Sequence, residues 1–193
     1  MAKALVLYAH PVAESLGGAA HSEVVNALNQ KGWEVDDCDL YAEQFNPVLS
    51  AEERRGYHDT ASNTAPVQGY VDRLRAADAL VLCFPVWNFG YPAILKGWFD
   101  RVMLPGVSFD LREGKLTPCL TNIRKLAAVT TYGSTPWRAF LAGDPPKKLI
   151  KRVAFGTLRP EKIRYIAQYD MNNVTPAACD AFLARVASEM ESF

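Results

Sequence analysis

The chain has 193 residues, 49% hydrophobic and 22% charged, a size and balance that suit one globular unit with a substantial core. Lys plus Arg equals Asp plus Glu, 21 each, so no global charge directs the chain to nucleic acid or to an acidic membrane surface. The four cysteines, Cys38, Cys83, Cys119 and Cys179, form no CxxC pair, which excludes the short-spaced metal and redox motifs and leaves no metal site to assign.

The first apolar run, residues 4–9, predicts a strand buried on both faces. One lysine, Lys3, precedes it, and the run is too short for a signal sequence. With no stretch of membrane-spanning length and no disulfide pattern, the expected compartment is the cytoplasm. A polar loop over residues 10–18 follows. Ala20, Val24, Ala27 and Leu28 then recur at helical spacing, with Gly32 as the stop. Residues 34–40 alternate weakly, as an edge strand does.

Residues 41–65 are irregular, with Pro47 and a short charged helix near 51–57. Residues 67–77 are helical. Residues 79–84, Ala-Leu-Val-Leu-Cys-Phe, are the clearest buried strand, with Cys83 a small buried hydrophobe and Pro85 the expected end. A helix over residues 92–103 has Pro near its first turn. Residues 126–131 form a fourth strand, 145–153 a short helix whose lysines and Arg152 make a solvated face, and 163–168 a fifth strand. Thr175 and Pro176 open the last helix as N-cap and N1, and Cys179, Phe182, Val186 and Met190 mark one face.

Five strands strictly alternating with five helices predict one domain over 1–193. The expected fold is α/β with a doubly wound, five-stranded parallel sheet of order 2-1-3-4-5. That fold binds ligands outside the carboxyl ends of its strands, which selects three loops. The first, residues 10–18, carries Ser15, Gly17 and Gly18 just before a helix. It can present a helix N-terminus to a phosphate, or be a flexible turn with a cap. It is neither a Walker A loop nor GxGxxG. The second, Pro85-Val86-Trp87-Asn88-Phe89-Gly90-Tyr91-Pro92, offers a flat apolar wall and in-plane hydrogen bonds, which a heteroaromatic ring requires; packing of the sheet edge is the rival reading. The third, residues 130–135, is small and rich in hydroxyls.

With the loops placed, the chain resembles the NAD(P)H:quinone oxidoreductases and related azoreductases of the flavodoxin-like fold. The likeness rests on Leu5-Val6-Leu7-Tyr8-Ala9-His10-Pro11 with Ser15, on Gly32-Trp33-Glu34-Val35, Asp39-Leu40-Tyr41-Ala42 and Phe45-Asn46-Pro47, and above all on the run from Phe84 to Val102. It covers residues 1 to about 135 well and the remainder loosely. It implies that His10, Ser15, Leu16 and Gly17 surround the ribityl phosphate of a flavin. Pro85, Val86, Trp87, Asn88 and Phe89 would line the isoalloxazine ring, and Thr130, Thr131, Tyr132 and Gly133 its pyrimidine side. His21 and His58 fall outside these loops and are expected to be structural or solvated.

The chain also departs from the family. Gly17 stands where many relatives carry Asn. The Tyr and His that follow the third loop in better-studied relatives have no match over residues 135–144, so no side chain is assigned as proton donor. The family's long C-terminal extension has no counterpart, which favours FMN, with FAD as the alternative.

The resemblance thus implies an enzyme that passes hydride from NADPH or NADH through flavin to a small aromatic acceptor, a quinone or an azo or nitro compound. It implies a homodimer as well, and the apolar Trp98, Phe99 and Met103 suggest the paired surface. Two other readings stand beside it: an electron-transfer flavodoxin, which would usually be acidic, and an ancillary or regulatory subunit of little turnover.

Overall fold

The computed structural model describes residues 1–193, the side chain of Arg112 excepted. Five parallel strands form the central sheet in the order β2-β1-β3-β6-β7. They are β1 (Lys3–Tyr8), β2 (Glu34–Asp39), β3 (Ala79–Val86), β6 (Lys125–Tyr132) and β7 (Lys162–Gln168). Counted along the sheet alone this is the expected 2-1-3-4-5 order. Helices α1 (Leu16–Gln30), α2 (Ala51–Gly56), α3 (Gln68–Ala76), α4 (Ala93–Val102), α5 (Pro136–Leu141), α6 (Pro145–Val153) and α7 (Pro176–Glu191) surround it.

The apolar runs that predicted strands are apolar because helices cover both faces of the sheet. Leu5, Leu7, Leu80, Leu82, Leu126 and Ala128 pack one core with Leu95, Trp98 and Ile150. The residues between them, Val6, Val81, Ala127 and Val129, pack the other with Val24, Leu28, Phe182, Val186 and Met190. The alternation is the pleat of each strand, doubled by burial of both sides. Cys83 is fully inside, and burial raises its thiol well above the ordinary range.

Several boundaries differ from the sequence reading. The first helix starts at Leu16, because the Ser15 side chain accepts the Gly18 N–H and caps it. β3 does not stop at Pro85: it continues through Val86, with Pro85 opposite Thr131 of β6. β1 pairs with β3 only as far as Cys83, so one side of the later segment carries no ladder and a missing N–H there costs nothing. The strict alternation also fails. A hairpin of β4 (Phe109–Arg112) and β5 (Lys115–Pro118) lies between α4 and β6, turning through Glu113 and Gly114 at φ 52° and 74°. Helix α5 is a further addition, and α6 runs on into a π turn, Ala154–Leu158. Trp98 and Met103 are not surface residues: they are 0% and 7% exposed in the core, while Phe99 stacks on Tyr91.

Residues 41–65 are irregular but tied down. Ser50 and Glu53 form a reciprocal capping box on α2, and the Asn63 amide donates to the carbonyls of Tyr57 and Pro105. Gly97 lets α4 approach Pro47, whose carbonyl would lie 2.3 Å from an added Cβ.

Candidate functional site

The carboxyl ends of β1, β3 and β6 converge at the switch point of the sheet, and the three predicted loops leave from them. In the first loop the Ser15 hydroxyl donates to the Val12 carbonyl (2.8 Å) and lies 3.2 Å from His10 Nδ1. The same Nδ1 lies 3.0 Å from the Val12 N and 3.1 Å from the Val12 carbonyl, so the ring is tied to the loop backbone through that nitrogen and Nε2 is left free for a ligand. Ser15 is therefore spent on the loop's own shape, and the loop offers backbone. Among the described residues the N–H groups of Leu16 and Gly17 have no acceptor, as expected at a helix N-terminus. Gly18 is obligatory, since an added Cβ would sit 2.0 Å from the Ala13 carbonyl oxygen.

The second loop turns back on itself in two residues. Trp87 and Gly90 exchange both backbone hydrogen bonds, 3.2 and 2.9 Å, around Asn88 and Phe89. Both central residues are left-handed, at φ 49° and 57°, the geometry of a type I′ turn. Asn tolerates that region, whereas for Phe it costs about 1 kcal/mol or more. The turn holds Trp87 and Phe89 outward, each 43% exposed, and leans Trp87 towards His10, ring centroids 6.1 Å apart. The N–H groups of Asn88 and Phe89 have no acceptor among the described residues.

In the third loop Thr130 is 2% exposed and its hydroxyl is buried without a partner. Thr131 is half-buried at the end of β6. Tyr132 turns its ring inward, stacked on Tyr169 at 4.5 Å, and its hydroxyl donates to Asp144 at 2.7 Å and meets the Tyr165 hydroxyl. Burial first, then Tyr165 and Asp144, raise that phenol far above its ordinary range. The carbonyls of Gly133 and Ser134 are occupied by the Asn172 amide and the Asp170 N–H, whereas their own N–H groups are open.

The second and third loops enclose a cavity of about 210 Å³ lined by Val86, Asn88, Phe89, Tyr132, Gly133 and Ser134. Asn88, Phe89, Gly133 and Ser134, whose N–H groups have no acceptor among the described residues, line it from two strand ends, with Phe89 as its aromatic side. Wider clefts of about 440 Å³ beside Phe155 and about 680 Å³ beside Arg101 lie away from these strand ends and do not combine those two features. Of the predicted residues, Val86, Asn88, Phe89, Tyr132 and Gly133 line this cavity; His10 approaches the second loop through Trp87, Ser15, Leu16 and Gly17 form the first loop and the start of α1, Thr130 and Thr131 lie in β6, and Pro85 is buried in β3. Sequence reasoning missed Asp144, Tyr165, Tyr169, Asp170 and Asn172, because nothing in their spacing marks a contact with a loop 12 to 39 positions earlier. His21 Nε2 hydrogen-bonds Asp37 at 2.8 Å and the ring stacks on Tyr8, which makes it structural, and His58 is exposed. Among the described residues there is no group of three metal-ligating side chains, and no helix is long and apolar enough to cross a membrane.

Comparison with known proteins places the chain. NAD(P)H dehydrogenase (quinone) 1 of Rattus norvegicus is 34% identical over 148 residues, 68% of this chain and 54% of that protein. The chain therefore spans about half the length of that relative. Smu.1420 of Streptococcus mutans superposes with a TM-score of 0.90 at 27% identity, covering 99% of this chain and 100% of that one. An FMN-dependent NADH-azoreductase of Bacillus anthracis, solved in complex with FMN, shares the fold at a TM-score of 0.80 and 15% identity, over 100% and 99% of the two chains. Residues 2–192 match the family described as flavodoxin-like fold, and the chain belongs to that family.

Proposed function

We propose that the chain, one flavin-binding unit over 1–193, holds one FMN and works as an NAD(P)H-dependent oxidoreductase of small quinone-type acceptors. The observation that carries this reading is the set of open amides from the β3 and β6 loops around a cavity with an aromatic wall. An isoalloxazine ring has acceptor atoms along its pyrimidine edge and an apolar face, so it matches both. The buried, unpartnered Thr130 hydroxyl and the open amides of Leu16 and Gly17 fit a ring with a phosphate tail. The names of the relatives, quinone dehydrogenase and FMN-dependent azoreductase, agree with this reading.

In this reading Leu16 and Gly17, with His10 Nε2, hold the phosphate. Val86, Asn88 and Phe89 hold one side of the ring, and Gly133 and Ser134 its pyrimidine edge, with Thr130 and Thr131 beneath. Trp87 and Phe89 exclude water and supply the surface on which a flat acceptor lies. Bound there, a flavin supplies a ring that takes hydride from NADPH or NADH and yields it to a quinone.

The chain also pairs with a second copy. The surface is not that of Trp98 and Met103, which are buried. It is the uncovered apolar set of Leu111, Leu116, Phe155 and Ile163, exposed by 41% to 77%; Phe155 and Ile163 border one cleft, and Leu116 lies 3.7 Å from a Cβ built on Gly156.

The decisive experiment is the absorption spectrum and released-cofactor mass of the reconstituted protein, followed by turnover of menadione with NADPH or NADH. Bound FMN with turnover supports the reading, and FAD in its place corrects the cofactor. Uptake of neither flavin overturns the reading, and flavin without turnover reduces the protein to a carrier or ancillary subunit.

A further inference from the structure

The third loop lines the cavity with open amides, while both of its carbonyls are engaged from elsewhere. The Ser134 carbonyl accepts the Asp170 N–H at 2.9 Å and the Gly133 carbonyl accepts the Asn172 amide at 3.4 Å. Both donors belong to the turn after β7. Just before the loop, Tyr132 is pinned by its hydroxyl. That hydroxyl has one proton and gives it to Asp144, so the Tyr165 hydroxyl donates to Tyr132, and the chain reads Tyr165 to Tyr132 to Asp144.

Asp144 is itself fixed. It stands in the left-handed region at φ 45°, donates its N–H to Ala139 at the end of α5 and accepts the Lys148 N–H at the start of α6. Two residues on, the Pro146 carbonyl accepts the Tyr91 hydroxyl at 3.3 Å, and Tyr91 closes the second loop. The junction at residues 144–146 therefore anchors both walls of the cavity. Four tyrosines and a carboxylate converge on it, and none of the five is needed to hold β3, β6 and β7 together as strands.

We propose that Asp144, Tyr132 and Tyr165 form a positioning network that fixes the Gly133 and Ser134 amides towards the ligand. It rests on the flavin reading for the identity of that ligand, and on the free protein for the positioning. A loop whose carbonyls could swing inward would present acceptors to an acceptor edge; Asp170 and Asn172 hold those carbonyls back, and the network fixes Tyr132, the residue from which the loop departs. The amides then face the part of the ring system that gains negative charge on reduction, so the network sets affinity and redox poise together.

The test uses Tyr132→Phe, which keeps the ring stacked on Tyr169 and removes only the hydroxyl, with Asp144→Ala and the conservative Asp144→Asn, whose side-chain oxygen still accepts the Tyr132 proton. In ligand-free protein, amide exchange at Asp170, whose N–H is held by the Ser134 carbonyl, and at Lys148, whose N–H is held by the Asp144 carbonyl, is expected to accelerate about tenfold in Tyr132→Phe and Asp144→Ala, as for the loss of one buried hydrogen bond, and to stay near the parent rate in Asp144→Asn. In FMN-loaded protein the same two variants should bind FMN about tenfold more weakly with a more negative midpoint potential, and Asp144→Asn should recover most of the affinity. Unchanged exchange in Tyr132→Phe and Asp144→Ala overturns the network whatever the ligand is. Accelerated exchange with FMN affinity and potential at parental values overturns its link to the ligand, while a parent that takes up no flavin overturns the functional reading alone.

Discussion

Gly17 and Gly18 stand side by side at the start of α1, yet an added methyl group meets different surroundings at each. At Gly18 it would strike the Ala13 backbone at 2.0 Å, and at Gly17 it would make ordinary contact with the His10 ring at 3.4 Å. Gly18→Ala should therefore lower stability by about 1–3 kcal/mol, as overpacking against backbone does, and disrupt phosphate binding. Gly17→Asn, which restores the family residue, should leave the urea midpoint unchanged and tighten FMN. Urea titration and FMN fluorescence quenching check both. Trp87→Ala should weaken FMN by about 1–3 kcal/mol through the loss of a stacked aromatic, whereas Tyr57→Ala, in the segment after α2, should not. Equal retention by Trp87→Ala and the parent would make the second loop a packing element. The sequence disclosed these residues because aromatic, Pro and Gly types clustered at a strand end. It did not disclose that Ser15 is consumed as a cap or that Tyr132 points inward, since both facts depend on partners distant in the chain.

At the scale of elements, β1, β3, β6, α1 and α7 were legible because burial on both faces, or on one stripe, imprints a period on the sequence. The hairpin of β4 and β5 and the short α5 were not, because they bury little and so leave no period. A Glu113–Gly114 turn is the one local signal the hairpin carries. The segment between β2 and α3 is held partly by ion pairs, one of them largely covered. Arg101 of α4 reaches Glu53 of α2 at 2.6 Å, with both side chains largely covered. Partial burial opposes ionisation of Glu53, but the Ser50 backbone N–H, Arg101 and the Ser50 hydroxyl together hold it below the usual carboxylate range. A carboxylate depressed in the folded state stabilises it above the unfolded pKa, and that contribution disappears as pH falls through the folded value. Thermal melts between pH 7 and 3 should show a loss of stability below about pH 4.5 that Glu53→Gln flattens. Arg101→Ala should cost about 2 kcal/mol at neutral pH, since it strands a covered carboxylate.

For the molecule as a whole, the tyrosines report on packing. All eight have hydroxyls raised above the ordinary phenol range, burial being the first cause in each, and Tyr70 is pushed up to about 12. An unfolded chain releases these protons near pH 10, while the folded chain keeps them. Stability is therefore intact below about pH 10 and erodes as pH rises beyond it. Tyrosinate absorbance should rise later than in the unfolded chain, with its midpoint above pH 10. A gradual rise centred on pH 10 would contradict the burial. Association is a separate whole-molecule property: sedimentation should give a dimer at micromolar concentration that Phe155→Glu dissociates, and an unchanged dimer in that variant would place the contact elsewhere.

The strand order also has a consequence for a chain emerging from the ribosome. β1 can recruit β2 and then β3 as they appear, but the other edge of β3 waits for β6, whose last residue comes about 45 positions later. At about 5–20 residues per second, that leaves Ala79–Val86, an almost wholly apolar strand, unpaired along one side for several seconds. Synthesis is thus the interval in which this protein is most exposed to aggregation. A chain stalled between β3 and β6 should partition to the insoluble fraction or to chaperones, and completion of β6 should release it.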